Sequence, residues 1–424
     1  MSKSTPMLCS VLAVLALLPA TVVARENPVF AQAAITELPV PARPGSAEPN
    51  LTRGAGGTII LSWLEPQADR TFLRFTRLEG ESWSEPQTVA SGDSWFVNWA
   101  DFPSVLAVSE NVLAAHWLSK RPGGIYSYDV SLAFSENGGK SWSSPITPHR
   151  DNTATEHGFV SLFPAPGGVN TIWLDGRNTE EAKGEMDHAE GHGAGGMTLR
   201  HALVTTDGTI SEEIELDSLV CDCCQTSVAM TRQGPVAVYR NRTEDEIRDI
   251  YITRFVDGGW KEGQPVHADG WKISGCPVNG PAVAAQGDTV AVAWFTMAED
   301  IPRVRFARSA DGGITFGAAT DVAANSPLGR VDLVLLDDGT AVVSWLDQRK
   351  GEPGVLQLRS ITANGVAGQP YSVTQMGTGR PSGFPQMQSD GRDIILAWTQ
   401  GQKKDSMVKA VRIPIPFEAL QSAN

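Results

Sequence analysis

The sequence predicts an all-β fold, a β-propeller of four-stranded antiparallel blades, and three observations carry that prediction. Seven short apolar runs end in an aromatic residue: "IILSWLEP", "VLAAHWLSKR", "VNTIWLDGR", "PVAVYRNR", "VAVAWFTM", "AVVSWLDQR" and "IILAWTQG". They place Trp63, Trp117, Trp173, Tyr239, Trp294, Trp345 and Trp398 at intervals of 51 to 66 residues. Each run follows another strand-like stretch across a tight turn containing Gly, Asp or Asn, and a third and a fourth stretch come after it. The 42 Gly and 27 Pro are spread evenly, so no linker divides the chain.

From the N-terminus, Lys3, an apolar run from Met7 to about Leu18 and the small residues of "TVVAR" and "FAQAA" have the layout of a secretory signal peptide over residues 1–24, with cleavage as late as 33 as the alternative. Cys9 would leave with it. The mature chain is therefore expected to be exported, periplasmic or secreted. No other stretch reaches the roughly 20 apolar residues of a membrane span, so no transmembrane anchor is expected. Residues 35–415 read as one propeller domain, expected to be a monomer. The seventh repeat offers "GFPQMQS", "IILAWTQ" and "MVKAVRI" but no fourth strand, while "ITELPVP" near residues 35–42 is strand-like and unpaired. Pairing it beside residues 407–413 closes the ring and removes two edges. Seven blades are favoured, and a six-bladed ring with one unit as a decorated insertion is the alternative. The formal net charge of −14 argues against a nucleic-acid or anionic-membrane surface.

The turns between third and fourth strands carry a motif. "SENGGKSW", Ser135 to Trp142, and "SADGGITF", Ser309 to Phe316, follow the pattern Ser-x-Asp-x-Gly-x-Thr/Ser-Trp, with Asn137 in place of Asp in the first and Phe316 in place of Trp in the second. An Asp or Asn side chain caps its own turn, Gly takes the positive φ, and the aromatic packs on the blade. On these residues the chain resembles the BNR/Asp-box, sialidase-like propellers over most of its mature length. The resemblance implies an exo-acting glycoside hydrolase on an acidic or other glycan, with an arginine cluster for a sugar carboxylate, an acid/base Asp, and a Tyr activated by a Glu. Tyr239 with Glu244 or Glu246 is a candidate for that pair, against its reading as blade core. The chain departs from the family where the first blade begins: "SAEPNL" stands in place of an Arg-Ile-Pro segment.

Function is expected on the face opposite the Asp boxes, where second-to-third turns and inter-blade connections emerge. Arg121, Arg177, Arg242 and Arg349 fall at like positions in four second-to-third turns. Together they suggest an anion site for a glycan or other anionic small molecule, although each alone could make an inter-blade ion pair. Asp101, Asp151, Glu156, His157 and Asp175 are the acid and base candidates near that mouth. Four cysteines remain after export: Cys221, Cys223 and Cys224 in "CDCC", and Cys276 one inter-blade connection later. Two disulfides are the default in an oxidising compartment, with a bridge from "CDCC" to Cys276 as one option and, since Cys223 with Cys224 would be a strained vicinal bridge, Cys221 with one of them as another. The alternative is a non-catalytic glycan-binding or metal-handling protein. No cofactor is required for hydrolysis, but the thiols suit copper or zinc, with His188 and His192 of "MDHAEGHGAGGM" as further ligand candidates.

Overall fold

The computed structural model describes residues 35–415 apart from 180–195, 325 and 392, together with Met1. Seven antiparallel sheets succeed one another along the chain and form the blades. Blade 1 holds Ala47–Arg53, Ile59–Gln67 and Arg70–Glu79, with Ser82–Trp83 and Gln87–Gly92 both pairing with its third strand. Blade 2 holds Ser104–Ala107, Leu113–Lys120 and Tyr128–Ser135, and its fourth strand is reduced to a bridge between Leu132 and Ile146. Blades 3 to 6 begin at His157–Ala165, Ser227–Met230, Ala282–Gln286 and Pro327–Leu335. In blade 7, Gln386–Ser389, Asp393–Gln400 and Met407–Pro414 are joined by Thr36–Glu37, with Thr36 opposite Arg412 and Glu37 opposite Val411. The N-terminal strand thus closes the ring as expected, and the six-bladed alternative is set aside by seven distinct sheets. The signal-peptide segment with Cys9, and His188 with His192, lie outside the described residues. No helix among the described residues is long and apolar enough to cross a membrane.

The repeated aromatics hold the blades together. Trp63, Trp173, Trp294 and Trp345 are at most 2 % exposed, so each removes a large apolar surface from water in the space between sheets. A buried indole N–H needs an acceptor, and three blades supply one two residues further along the same strand. Trp63 donates to Glu65 Oε2 at 3.2 Å, Trp173 to Asp175 Oδ2 at 2.8 Å and Trp398 to Gln400 Oε1 at 2.9 Å.

The Asp-box turns fold as their chemistry requires. The Asn137 Oδ1 accepts from the Ser141 amide at 2.9 Å, and the Asp311 Oδ1 from the Ile314 and Thr315 amides at 3.0 and 2.9 Å. Gly139 and Gly313 have φ of 91° and 85°, and a Cβ on either would strike Phe75 or Ile252 of the preceding blade. These turns bond to first-to-second-strand turns, Gly138 N to Asn111 O and Gly312 N to Asp288 O. Second-to-third turns bond instead to inter-blade connections, as Arg121 Nη1 does to Thr153 O at 3.1 Å. The two sets of turns therefore occupy opposite faces.

Candidate functional site

All seven inner strands or the segments leading into them line one central cavity of about 220 Å³. Its wall is polar, with Asn50, Gln386, Gln388, Ser161, Thr226, Asp101 and Asp332, and Phe102, Phe159 and Phe384 supply apolar surface. Three inner strands begin with a β-bulge whose central residue has a positive φ: Glu48 at 50°, Phe159 at 53° and Arg330 at 53°. Such bulges re-aim side chains at the ends of strands. No periodicity in the sequence marks them, because the bulged residues are chemically unrelated.

Asp101 belongs to this cavity and to a second arrangement behind it. The Tyr128 hydroxyl lies 2.6 Å from Glu156 Oε1 and 3.2 Å from Asp101 Oδ2, while Asp101 Oδ1 accepts from the Phe159 amide at 2.8 Å. Tyr128 is fully buried and stacked on Phe96 at 4.0 Å. One phenol proton serves one oxygen, so the second contact is a hydrogen bond when a carboxylic acid donates to the phenol oxygen. Burial in a site without a compensating cation pushes Asp101 up to about 7. Burial, opposed by the Tyr128 hydrogen bond and reinforced by Asp101, pushes Glu156 up to about 8. Asp332, across the cavity, is also pushed to about 7 by burial, against hydrogen bonds from the Leu333 and Met387 amides.

Asp151, His157 and Asp175 form a different arrangement. The rings of His149 and His157 stack at 3.8 Å, and each donates a ring N–H to the Asp151 carboxylate over 3.2 Å. Arg177 grips Asp175 through two bonds of 2.7 and 2.8 Å and also reaches Glu213 at 2.6 Å and Asp151 at 3.4 Å. Burial works against ionisation here, but these partners overcome it: Asp151 and Asp175 are held below the usual carboxylate range, and His157 is raised by Asp151 and Asp175. The ligand atoms of Asp151, His157 and Asp175 come within 4.8 Å of one another, as do those of Asp129, His149 and His157. The Arg177 guanidinium already supplies the positive charge to the first set. Asp175 is thus the indole acceptor of its blade, equivalent to Glu65 and Gln400.

The arginines expected to share an anion site are engaged otherwise. Arg121 meets Asp129 at 3.3 Å and Asn152 at 2.9 Å, and Arg242 meets Glu246 at 2.6 Å and Asp222 at 3.4 Å. Arg349 sits in an exposed turn of blade 6, and no ion pair joins it to these groups among the described residues. Tyr239 is blade core: it is 1 % exposed and its hydroxyl donates to Asp217 at 2.6 Å, while Glu246 binds Arg242 and Arg248. The tyrosine held between carboxyl groups is Tyr128, which the alternation of "YDVSLAFS" presents as an ordinary inward strand position.

The four cysteines are unbridged in this structure, so the expected bridge between "CDCC" and Cys276 is not supported by it. The connections do meet: Cys223 and Cys276 are hydrogen-bonding neighbours, Cys221 Sγ is 3.0 Å from Cys224 Sγ and 4.0 Å from Cys223 Sγ. Gln225 fixes this corner by donating to Ala100 O at 2.6 Å and accepting from the Gly280 amide at 3.0 Å. Two buried arginines back it, neither of them visible in the sequence as part of a site. Arg248 Nη1 lies 3.5 Å from Cys221 Sγ, and Arg240 is clamped by the carbonyls of Asn279, Arg248 and Phe295.

Set beside solved structures, the chain shares its fold with proteins of low sequence identity. A polysaccharide lyase, an ulvan lyase bound to -[GlcA(1-4)Rha3S]-, is 11% identical over 91% of this chain and 99% of its own, with a TM-score of 0.55. The endosialidase of phage phi92 is 10% identical over 91% of this chain and 69% of its own, with a TM-score of 0.51. A protein of unknown function from Dyadobacter fermentans is 14% identical over 90% of this chain and 98% of its own, with a TM-score of 0.50. Similarity at this level defines the fold alone. No family profile and no curated protein matches the chain.

Proposed function

We propose that the protein is an acid-assisted glycoside hydrolase that takes the terminal ring of a glycan into its central cavity. The observation that carries this reading is Asp101, which lines the cavity while sharing the Tyr128 hydroxyl with Glu156. A carboxyl group with its pKa near 7 is suited to donate a proton to a leaving glycosidic oxygen at neutral pH. Asp332, the other acid of the cavity wall, supplies the second carboxyl that such a reaction uses. Asn50, Gln386, Gln388, Ser161 and Thr226 offer the mixed donors and acceptors that sugar hydroxyls need, and Phe384 offers a face for a ring. The cavity is smaller than the roughly 300–1,000 Å³ of a drug-sized site, which suits one ring rather than an internal stretch of chain.

Charge recognition is a lesser part of this reading. Arg121, Arg177 and Arg242 are each paired with carboxylates, and no Lys or Arg is among the cavity-lining residues. A neutral ring therefore fits better than a sialic or uronic acid. A panel of neutral and acidic aryl glycosides and oligosaccharides tests the reading. Cleavage of a neutral substrate is expected to weaken as pH rises through about 7 and to fall by about 10²–10⁴ in Asp101→Asn, the usual contribution of a general acid. Cleavage unaffected by Asp101→Asn, or no cleavage across the panel, would overturn it.

A further inference from the structure

The four-cysteine corner is unused by the glycan reading, and its geometry stands independently of that reading. The sulfurs of Cys221, Cys223 and Cys224 all lie within 4.8 Å of one another, and Cys276 abuts Cys223 from the next inter-blade connection. We propose that these cysteines form a thiolate centre for a soft, thiophilic d¹⁰ cation, Cu(I) or Zn(II), with Cys221, Cys223 and Cys224 as its floor and Cys276 as the ligand at its solvent side.

Spacing supports this. Metal–sulfur bonds of about 2.3 Å in tetrahedral array put neighbouring sulfurs about 3.8 Å apart. Cys221 and Cys223, at 4.0 Å, already stand near that separation, and Cys221 and Cys224, at 3.0 Å, need to part by less than about 1 Å, within reach of side-chain rotation. Burial is graded as a binding site requires: Cys221 and Cys224 are buried, Cys223 is intermediate and Cys276 is exposed, so an ion has a route from solvent to the floor.

The surrounding charge points the same way. Arg248 bonds Asp222 at 3.4 Å and Glu246 at 2.8 Å, and Arg242 pairs with the same two carboxylates. Arg240 makes its bonds to backbone carbonyls instead. Arg248 lies 3.5 Å from Cys221 Sγ, and the positive charges of Arg240 and Arg248 both favour its thiolate. A shell of that sign stabilises thiolates and suits a centre that is itself anionic, as one Cu(I) with two or three thiolates is, or one Zn(II) with four. It is unsuited to a hard cation, whose carboxylate ligands here are already held by arginine. Each thiol that enters the centre releases one proton as its metal–sulfur bond forms, with no change of oxidation state.

The test uses the full chain, reduced and stripped of metal under anaerobic conditions, titrated with Cu(I) against a chromophoric Cu(I) chelator and separately with Zn(II) against a chromophoric zinc chelator. One ion per chain is expected to be withdrawn from at least one chelator, with proton release, and Co(II) is expected to give sulfur-to-metal charge-transfer bands. Cys276→Ser and Cys223→Ser should weaken binding while melting at the temperature of the metal-free parent. Arg248→Gln, a positioning change, should weaken it by about 10–100-fold, the usual effect of losing a ligand's supporting partner. Failure of both ions to compete, or stoichiometric binding that survives in the Cys221→Ser/Cys224→Ser double variant, would overturn the proposal. So would native protein in which Cys221–Cys224 and Cys223–Cys276 disulfides are found and whose reduced form binds neither ion.

Discussion

Glu156 and His157 are neighbours in the chain, yet they belong to acid clusters in opposite states of protonation. On one side Asp101 and Glu156 meet around a phenol, and no cation is within bonding distance among the described residues. On the other, Asp151 and Asp175 meet His149, His157 and Arg177. Burial opposes ionisation in both. In the second cluster a guanidinium and imidazoles outweigh it, and the acids ionise more readily than usual. In the first a neutral hydroxyl does not, and the acids keep their protons. The difference teaches that depth alone does not mark a reactive carboxyl: what separates a proton donor from a scaffold anion here is the identity of one or two partners.

The sharpest way to break this contrast is to remove the cation from the charged cluster. Arg177→Ala leaves Asp175, fully buried, with Asp151 and Glu213 lacking their shared partner, and is expected to lower stability by about 3–5 kcal/mol in denaturant unfolding. A loss below about 1 kcal/mol would show that the cluster relaxes into water.

The carboxyl groups of the two clusters should also respond to pH in opposite directions. Asp101 has a folded pKa of about 7 against 3.8 unfolded, so its contribution to stability is complete below about pH 4 and disappears as pH rises through 7. Asp151 and Asp175 are lowered, so theirs is present above 3.8 and lost as pH falls below it. His157 is raised, so its share is present below 6.5 and is lost as pH climbs through its folded value. Asp101→Asn should therefore flatten the decline in stability between pH 4 and 8, at about 1.4 kcal/mol per pKa unit removed, and leave the acid limb in place. An unchanged alkaline limb would contradict the assignment.

Smaller effects test the details. Tyr128→Phe keeps the stack on Phe96 and removes only the shared hydroxyl, for an expected loss of about 1–3 kcal/mol. On the opposite face, Asn137→Ala deletes the cap of one Asp-box turn and should cost about 1 kcal/mol by thermal melting, with no change in ligand binding.

Much of the fold was legible because a propeller repeats its packing. An aromatic residue at the end of each second strand is needed seven times over, so Trp63 to Trp398 spell out the blade count, and the missing fourth strand of the last repeat points to closure by residues near 36. The meeting of "CDCC" with Cys276 was legible for the same reason, since successive inter-blade connections emerge side by side. The site's chemistry was less so. Arg121, Arg177 and Arg242 could be placed on a face by strand parity, but their partners come from other loops and follow no period. Tyr128 reads as one more inward residue until the isolated bridge between it and Glu156 brings the carboxyl to its hydroxyl. Asp332 follows a bulge that carries no sequence signal, and Arg248 lies in the charged turn "TEDEIRD", where nothing distinguishes a buried guanidinium from a solvated one.

The most direct measurement is the protonation state of Asp101 itself, read from the carboxyl C=O infrared band in the difference between wild type and Asp101→Asn as pH is raised. The account predicts that the protonated-acid band persists at pH 6 and disappears around pH 7, together with any glycosidase activity. A band already absent at pH 5 would mean that Asp101 is an ordinary buried anion, and the proton-donor reading of the cavity would fall.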